Sequence, residues 1–155
     1  MPDNANIGVM SGKTISAVAK QFPSARKKHL HFIPLVGAIG NSGNDWNANS
    51  IARILAFKTD SSYSVLNAPV LTQSQKARDY FVQEPDIASV LKEGERCDMA
   101  LVGIGQISTH STAYLSGAYQ DEDLAALEEA GAVASVSISY IDKNGSIIET
   151  SLSNR

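Results

Sequence analysis

Apolar and polar residues follow one another along the chain in blocks that predict a strand and then a helix. An apolar run over residues 7–10 breaks at Ser11-Gly12, and apolar positions then recur at helical spacing as far as Phe22. A run that ends at a glycine and resumes with a period near 3.6 is typical of a strand turning into an amphipathic helix. We therefore predict a β-strand followed by an α-helix, with the connecting turn at residues 11–12.

Similar blocks recur downstream. We predict strands over 29–36, 63–66, 99–105, 133–141 and 146–150, and helices ending near Lys58 and over 73–82, 86–96 and 121–130. The run 99–105 is the most apolar, and such runs are typical of strands buried on both faces of a parallel sheet, so we expect it at the sheet centre. The Asp142–Gly145 sequence predicts a hairpin turn, which makes the last strand an antiparallel addition.

The alternation of strands and helices predicts an α/β fold with a mainly parallel sheet and helices on both faces. With 155 residues, 43% of them apolar, and no evident linker or repeat, the chain suits one domain. A formal charge of −3, with basic residues scattered apart from residues 26–28, argues against nucleic-acid binding by this segment. A single cysteine excludes a disulfide within the chain, and no signal-peptide pattern is present, so we expect a cytoplasmic protein without membrane contact.

The turn before the first helix is the leading candidate for a binding site. The first N–H groups of a helix lack intrahelical acceptors and lie at the positive end of its dipole, which favours anions. Gly12 allows close approach of a ligand, Lys13 adds a positive charge, and Ser11, Thr14 and Ser16 offer hydroxyl groups. These groups suit a phosphate or a polyhydroxylated ligand. A structural turn with Thr14 as a simple helix cap is an equally good interpretation of these residues alone.

Neither of two well-known phosphate-binding motifs matches this turn. A Walker A loop has four residues between its first glycine and Gly-Lys-Thr, whereas only three separate Gly8 from Gly12. The glycines are also out of register for the Gly-x-Gly-x-x-Gly dinucleotide motif. The turn is therefore a candidate site without a diagnostic motif.

Further candidate ligand-binding residues follow other predicted strands. Asn47 lies at the next helix start, where an ordinary cap is the alternative role. Ligands of open α/β sheets bind at the carboxyl ends of the strands, so Gly103, Gly105 and Gln106 are also candidates. We find no catalytic set, no metal-binding histidine spacing and no cofactor motif; His29 and His31 could share one face of a strand, but such histidines are usually structural.

The ordered landmarks of the chain resemble the effector-binding domain of the SorC/DeoR-type sugar-responsive transcriptional regulators of bacteria. The resemblance covers nearly the whole chain. It rests on Gly-Val-Met-Ser-Gly-Lys-Thr-Ile-Ser-Ala-Val-Ala, Phe-Ile-Pro-Leu-Val-Gly-Ala-Ile-Gly, Asn-Ala-Asn-Ser-Ile-Ala-Arg-Ile-Leu-Ala, Leu-Asn-Ala-Pro, Glu-Pro-Asp-Ile, Ala-Leu-Val-Gly-Ile-Gly and Tyr-Ile-Asp-Lys-Asn-Gly.

This resemblance implies a Rossmann-like three-layer α/β/α fold similar to glucosamine-6-phosphate deaminase and ribose-5-phosphate isomerase, used as a sensor and not as an enzyme. It implies a sugar or sugar-phosphate effector at Gly12, Lys13, Thr14 and Asn47, and a homo-oligomer that controls operator DNA. Ser11 and Gly37, in the connections after the first two predicted strands, are further candidate ligand-binding residues. An isomerase or deaminase is the alternative function.

The resemblance also implies that residues 1–155 form only part of the effector-binding domain. We expect the DNA-binding domain and the carboxyl-terminal part of the effector domain to be absent from this segment. Val36 stands where some family members carry a lysine or an arginine. We therefore expect no covalent capture of a sugar aldehyde, and we expect the effector to be a monophosphate or an unphosphorylated sugar.

Overall fold

A four-stranded parallel sheet organises the first two-thirds of the chain. We analysed a computed structural model that describes residues 3–24, 29–39, 45–136 and 139–154. The sheet comprises β1 (Asn6–Val9), β2 (His31–Pro34), β3 (Ser62–Tyr63) and β4 (Met99–Leu101), in the spatial order β3-β2-β1-β4. Because all four strands are parallel, they end at the same edge, which we call the carboxyl edge.

Two helices cover one face of this sheet. They are α1 (Lys13–Gln21) and α2 (Ala48–Thr59), which pack on each other and, in the case of α2, across the first three strands. Their buried side chains meet those of β1 and β2 in the main core, to which Ile7, Phe32, Ile51 and Leu55 contribute fully buried side chains. Helical spacing and strand alternation place these residues on facing surfaces, and their burial stabilises the layer.

The opposite face of the sheet is covered by a helical pair. Helices α3 (Gln75–Gln83) and α4 (Pro85–Glu95) contact each other, and α4 packs on β2. Pro85 begins α4, where a missing N–H group costs nothing. A Cβ placed on Gly94 would lie 3.1 Å from the Leu35 side chain, a tight contact that the glycine avoids. These contacts complete the predicted three-layer α/β/α arrangement.

A second sheet follows and is entirely antiparallel. It comprises β5 (Ile104–Gln106), β6 (Ala134–Val136), β7 (Ser139–Ile141) and β8 (Ile147–Ile148) in sequence order. Short α5 (Thr112–Leu115) and α6 (Asp121–Glu129) connect β5 to β6, and a 3₁₀ turn spans Ser151–Asn154. Leu127, Tyr140 and Leu152 form its small core.

Two predicted strands were wrong in extent. The apolar run 99–105 is not one central strand, because it divides at Val102-Gly103 into β4, at the edge of the parallel sheet, and β5, in the antiparallel sheet. Met99 is 42% and Ile104 80% exposed, so the run is not buried on both faces. The alternating segment 133–141 is likewise two strands, β6 and β7, which pair antiparallel with each other.

The remaining predicted elements are confirmed within a few residues. The Asp142–Gly145 turn joins β7 to β8, and Gly131 ends α6 with a φ of 81° that glycine adopts without strain. The basic residues 26–28 and the loop residues 40–44 lie outside the described residues. Among the described helices, none has the length and apolar character needed to cross a bilayer.

Candidate functional site

The Ser11–Thr14 turn leaves β1 at the carboxyl edge and leads directly into α1. Gly12 is the N-cap residue, with φ 141° and ψ 150°, a conformation that favours glycine. The first hydrogen bond of the helix runs from the Ser16 N–H to the Gly12 carbonyl at 2.9 Å. The N–H groups of Lys13, Thr14 and Ile15 come before this bond and have no acceptor within the helix. Among the described residues no side chain caps this first turn. The turn therefore presents donors to a ligand.

The surroundings of the turn are open. Lys13 and Thr14 are exposed, and a Cβ placed on Gly12 would meet no described atom within 4 Å. Thr14 lies inside the first helical turn and does not cap it, so the cap interpretation of Thr14 is wrong. An exposed ammonium group and a hydroxyl beside the N–H donors of a helix start can bind an anion or a hydroxyl-rich ligand.

Three contacts attach the turn and its helix to the segment that precedes α2. The Gly12 N–H donates to the Trp46 carbonyl at 2.8 Å, and the buried Ser16 hydroxyl donates to the Asp45 carbonyl at 2.8 Å. Lys20 forms an ion pair with Asp45 at 2.8 Å, and the hydrogen bond from Lys20 lowers the pKa of the Asp45 carboxyl below its ordinary value. The first two connections of the sheet are thereby held together at the carboxyl edge.

Asn47 lies within this same group. It is the N-cap of α2, and its side-chain oxygen accepts a hydrogen bond from the Asn49 N–H at 2.9 Å. The cap interpretation is thus confirmed. Within the described ranges no residue accepts a hydrogen bond from the NH₂ group of this half-buried amide, so a ligand contact is compatible with the cap.

Gly37 lies where the connection after β2 meets the connection after β3. A Cβ at Gly37 would overlap the carbonyl oxygen of Ala68 and lie 2.6 Å from the Pro69 carbonyl carbon. The Ala38 N–H donates to the Ala68 carbonyl at 2.7 Å, and Val70 N–H donates back to Ala38 at 2.9 Å. A glycine is needed here for close backbone approach, so Gly37 has a structural role beside any ligand contact.

Two cavities of about 510 Å³ each lie beside the segment 66–73. The first, which we call the polar cavity, is bounded by Ala38, Asn49, residues 66–73, Gly117 and Ala118. The second, which we call the apolar cavity, lies between 34–37 and the α3–α4 pair, with Arg78 and Glu95 among its otherwise mainly apolar walls. Sequence reasoning missed Asn49 and 66–73, although Asn67-Ala68-Pro69 was visible as the end of a strand.

The three candidates beyond β4 are divided between the two sheets. Gly103 follows β4 at the carboxyl edge, and a Cβ there would lie 3.8 Å from Ile15 of α1. Gly105 and Gln106 belong to β5, where Gly105 lies against Ser135. The structure thus places Gly103 beside Ile15 in the first turn of α1, and it places Gly105 and Gln106 in the antiparallel sheet.

The described residues offer binding groups without an evident catalytic set. No three His, Cys, Asp or Glu side chains in the described ranges cluster as metal ligands. His31 bonds Ser62 at 2.7 Å and Ser64 at 2.9 Å, but it begins β2, at the edge opposite the turn. The groups at the carboxyl edge are backbone donors, amides, hydroxyls and one lysine, which can hold a ligand.

Comparison with known proteins identifies the group to which these features belong. The whole chain, residues 1–155, matches the family model described as "Putative sugar-binding domain". The chain belongs to this family of sugar-binding domains. The resemblance inferred from its landmarks is confirmed.

The relatives of this sugar-binding domain are transcription regulators. It is 24% identical over 153 residues to the erythritol catabolism regulatory protein EryD of Brucella abortus, covering 99% of this chain and 48% of EryD. A DeoR family transcriptional regulator from Listeria monocytogenes is 30% identical with a TM-score of 0.85, over 96% of this chain and 58% of the other. A probable sor operon regulator from Shigella flexneri shares the fold, with a TM-score of 0.90 at 21% identity. The match covers 100% of this chain and 60% of the other.

The sugar-binding domain spans about half the length of the curated relatives it matches. The predicted α/β/α fold is confirmed by the solved relatives. The named relatives regulate transcription, which agrees with a sensor and gives no support to the alternative of an isomerase or deaminase.

Proposed function

We propose that this chain is the effector-sensing part of a SorC/DeoR-type regulator and that a polyol, sugar or sugar phosphate binds at its carboxyl edge. The observation that supports this most strongly is the first turn of α1, which no described side chain caps and which contains the exposed Lys13 and Thr14. A Cβ on Gly12 would meet no described atom within 4 Å. Neutral hydroxyls and phosphate oxygens both accept from such donors. Ser11, Asn47, Gly37 and Gly103 lie at the same edge and complete the proposed site.

The proposed ligand class rests on the polar groups at the carboxyl edge and on the names of two relatives. EryD is named for erythritol catabolism and the Klebsiella pneumoniae relative for a sorbitol operon. Both names point to polyhydroxylated small molecules, which suit amides, hydroxyls and backbone donors. Val36 is buried and apolar, so it supplies no second cation for a phosphate. We therefore propose a neutral polyol or sugar, or a monophosphate of one.

The regulatory part of the proposal concerns the assembly. A ligand that binds one arrangement of a homo-oligomer more tightly shifts the population toward it, and this changes the fit of attached DNA-binding domains to an operator. We propose that operator DNA is engaged by a separate domain of the regulator, in the cytoplasm. The formal charge of −3 is consistent with that division.

A thermal-shift screen tests the proposed function. The panel is erythritol, sorbitol, ribose and glucose, each with and without a phosphate group, plus inorganic phosphate alone. A ligand that binds only the folded state raises the melting temperature with concentration, so we expect at least one polyol or sugar to do so. If no member of the panel raises it, or if inorganic phosphate reproduces the full effect, the proposed function is wrong.

A further inference from the structure

The side-chain amide of Asn49 forms two hydrogen bonds with the backbone of one residue, Leu66. Its Nδ2 donates to the Leu66 carbonyl at 3.0 Å, and its Oδ1 accepts from the Leu66 N–H at 2.9 Å. Leu66 is 2% exposed, so these backbone groups are largely withdrawn from solvent. The amide satisfies both of them, as a neighbouring strand would.

This pair of bonds lies where regular structure has stopped. Strand β3 ends at Tyr63, and the next helix, α3, begins at Gln75. The intervening segment is attached by the Ser64 N–H to the Phe32 carbonyl at 2.9 Å and by the exchange of bonds between Ala38 and residues 68 and 70. Asn49 provides the attachment between these two points, and it is made by a side chain and not by backbone.

Asn49 and Leu66 both line the polar cavity. Asn67 and Thr72 line it as well. The segment 66–72 contributes residues to this cavity and to the apolar one, and so lies between them. Asn47, a proposed ligand residue, accepts from the Asn49 N–H at 2.9 Å. One residue therefore connects the start of α2 to the cavity wall.

We propose that Asn49 is a positioning residue for the sugar site. It fixes the wall formed by 66–72 relative to the start of α2 and thereby sets the width of the polar cavity, which receives hydroxyl groups of the ligand. This inference rests on the proposed function. Since Nδ2 and Oδ1 of Asn49 both bond to Leu66, the role assigned to Asn49 is to hold the wall and not to contact the ligand.

The Asn49→Asp variant isolates this effect. A carboxylate keeps the acceptor for the Leu66 N–H but sets an oxygen against the Leu66 carbonyl, so one bond becomes a repulsion. Asn49 is the second residue of α2, where a negative charge favours the helix dipole, so the helix itself is preserved. Ser50→Ala, in the same helical turn, is the matched control, and Asn49→Ala is a second variant that removes both bonds without adding charge.

Affinity is measured by calorimetry well below the melting temperature, with the folded fraction of each variant checked by circular dichroism. The probe is the polyol or sugar of the panel that gives the largest thermal shift. We expect Asn49→Asp and Asn49→Ala to weaken it by at least about fivefold, the equivalent of one hydrogen bond, and Ser50→Ala to leave it within twofold. Hydrogen exchange over 64–70 should rise in both Asn49 variants and not in the control.

Each result decides the question. If folded Asn49 variants bind the probe as tightly as the unaltered chain does, the positioning role is wrong while the proposed function stands. If the unaltered chain binds no member of the panel, the proposed function fails, and the role of Asn49 in a sugar site fails with it. Equal weakening by Ser50→Ala would assign the effect to the whole helix start and overturn the specific role.

Discussion

At the scale of single residues, the carboxyl edge is shaped by one glycine and by side chains with separate contacts. Asn47 caps α2 as its type and position indicated, and Gly12 supplies the positive φ at the strand-to-helix turn. The interpretation of Thr14 as the cap was wrong because α1 begins at Lys13 with Gly12 as its N-cap, so Thr14 lies in the first turn. The contacts of Asn49 could not be predicted, because they join positions seventeen residues apart that only the tertiary fold brings together.

Lys13→Ala tests the proposed anion contact. The variant removes a charge from an exposed position, so the fold should be unaffected, and binding of phosphorylated members of the panel should weaken about tenfold. Binding of neutral polyols should change less than threefold. Calorimetry with matched neutral and phosphorylated ligands measures both. Lys92→Ala on α4 is the control for a change in net charge, and equal losses for both ligand classes in Lys13→Ala would contradict a phosphate contact.

The Lys20–Asp45 ion pair predicts how the Asp45 carboxyl titrates. Lys20 lowers the pKa of the folded Asp45 carboxyl, so the pair stabilises the fold above the ordinary carboxyl value of 3.8 and loses that effect as the pH falls through the lowered value. Both side chains are half exposed or more, so the contribution to stability is small. NMR titration should show the Asp45 pKa rising toward its ordinary value in Lys20→Met. An unchanged pKa would mean that the pair does not form in solution.

At the scale of elements, periodicity predicted most helices and strands because each has one face in a core. The two strands it misplaced share a cause: the chain changes sheets inside an apolar run at Val102-Gly103, and it reverses direction inside an alternating run between β6 and β7. Neither change interrupts the pattern of apolar positions. A glycine at Gly103 was the signal available for the first, although a single glycine also occurs inside strands.

Gly37→Ala tests the close approach of the two connections at the carboxyl edge. The added methyl group would overlap backbone atoms of Ala68 and Pro69, so the segments must separate. We expect a loss of about 1–3 kcal/mol in the free energy of unfolding, measured in urea. Gly103→Ala, whose methyl group would lie at an ordinary 3.8 Å from Ile15, is the control and should cost less. Equal stability of the two variants would contradict the contact between these connections.

Two substitutions on α2 test which of its faces packs on the sheet. Leu55 is fully buried in the main core, whereas Phe57 on the same helix is 90% exposed. Leu55→Ala should lower the free energy of unfolding by about 2–5 kcal/mol, and Phe57→Ala should change it by less than about 0.5 kcal/mol. Urea unfolding followed by circular dichroism measures both. A larger loss from Phe57→Ala than from Leu55→Ala would mean that the helix is rotated.

At the scale of the whole molecule, the fold class was predictable because the ordered landmarks and the strand-helix alternation agree. The parallel sheet brings the connections after β1, β2 and β3 to one edge, and there the structure joins Gly12 to Trp46 and Ala38 to Ala68. The separation of Gly105 and Gln106 into a second sheet could not be predicted, because no local pattern distinguishes the sheet to which a strand belongs. The proposed site is thus a property of the edge and not of any one motif.

An NMR titration of the backbone amides with the ligand that gives the largest thermal shift tests the central claim most directly. We predict that the amides of Lys13, Thr14 and Ile15 shift most, together with those at the start of α2. The amide resonances of His31 and Ser62, at the opposite edge of the sheet, should not shift. Shifts concentrated at that opposite edge, with the Ser11–Thr14 amides unchanged, would contradict the account.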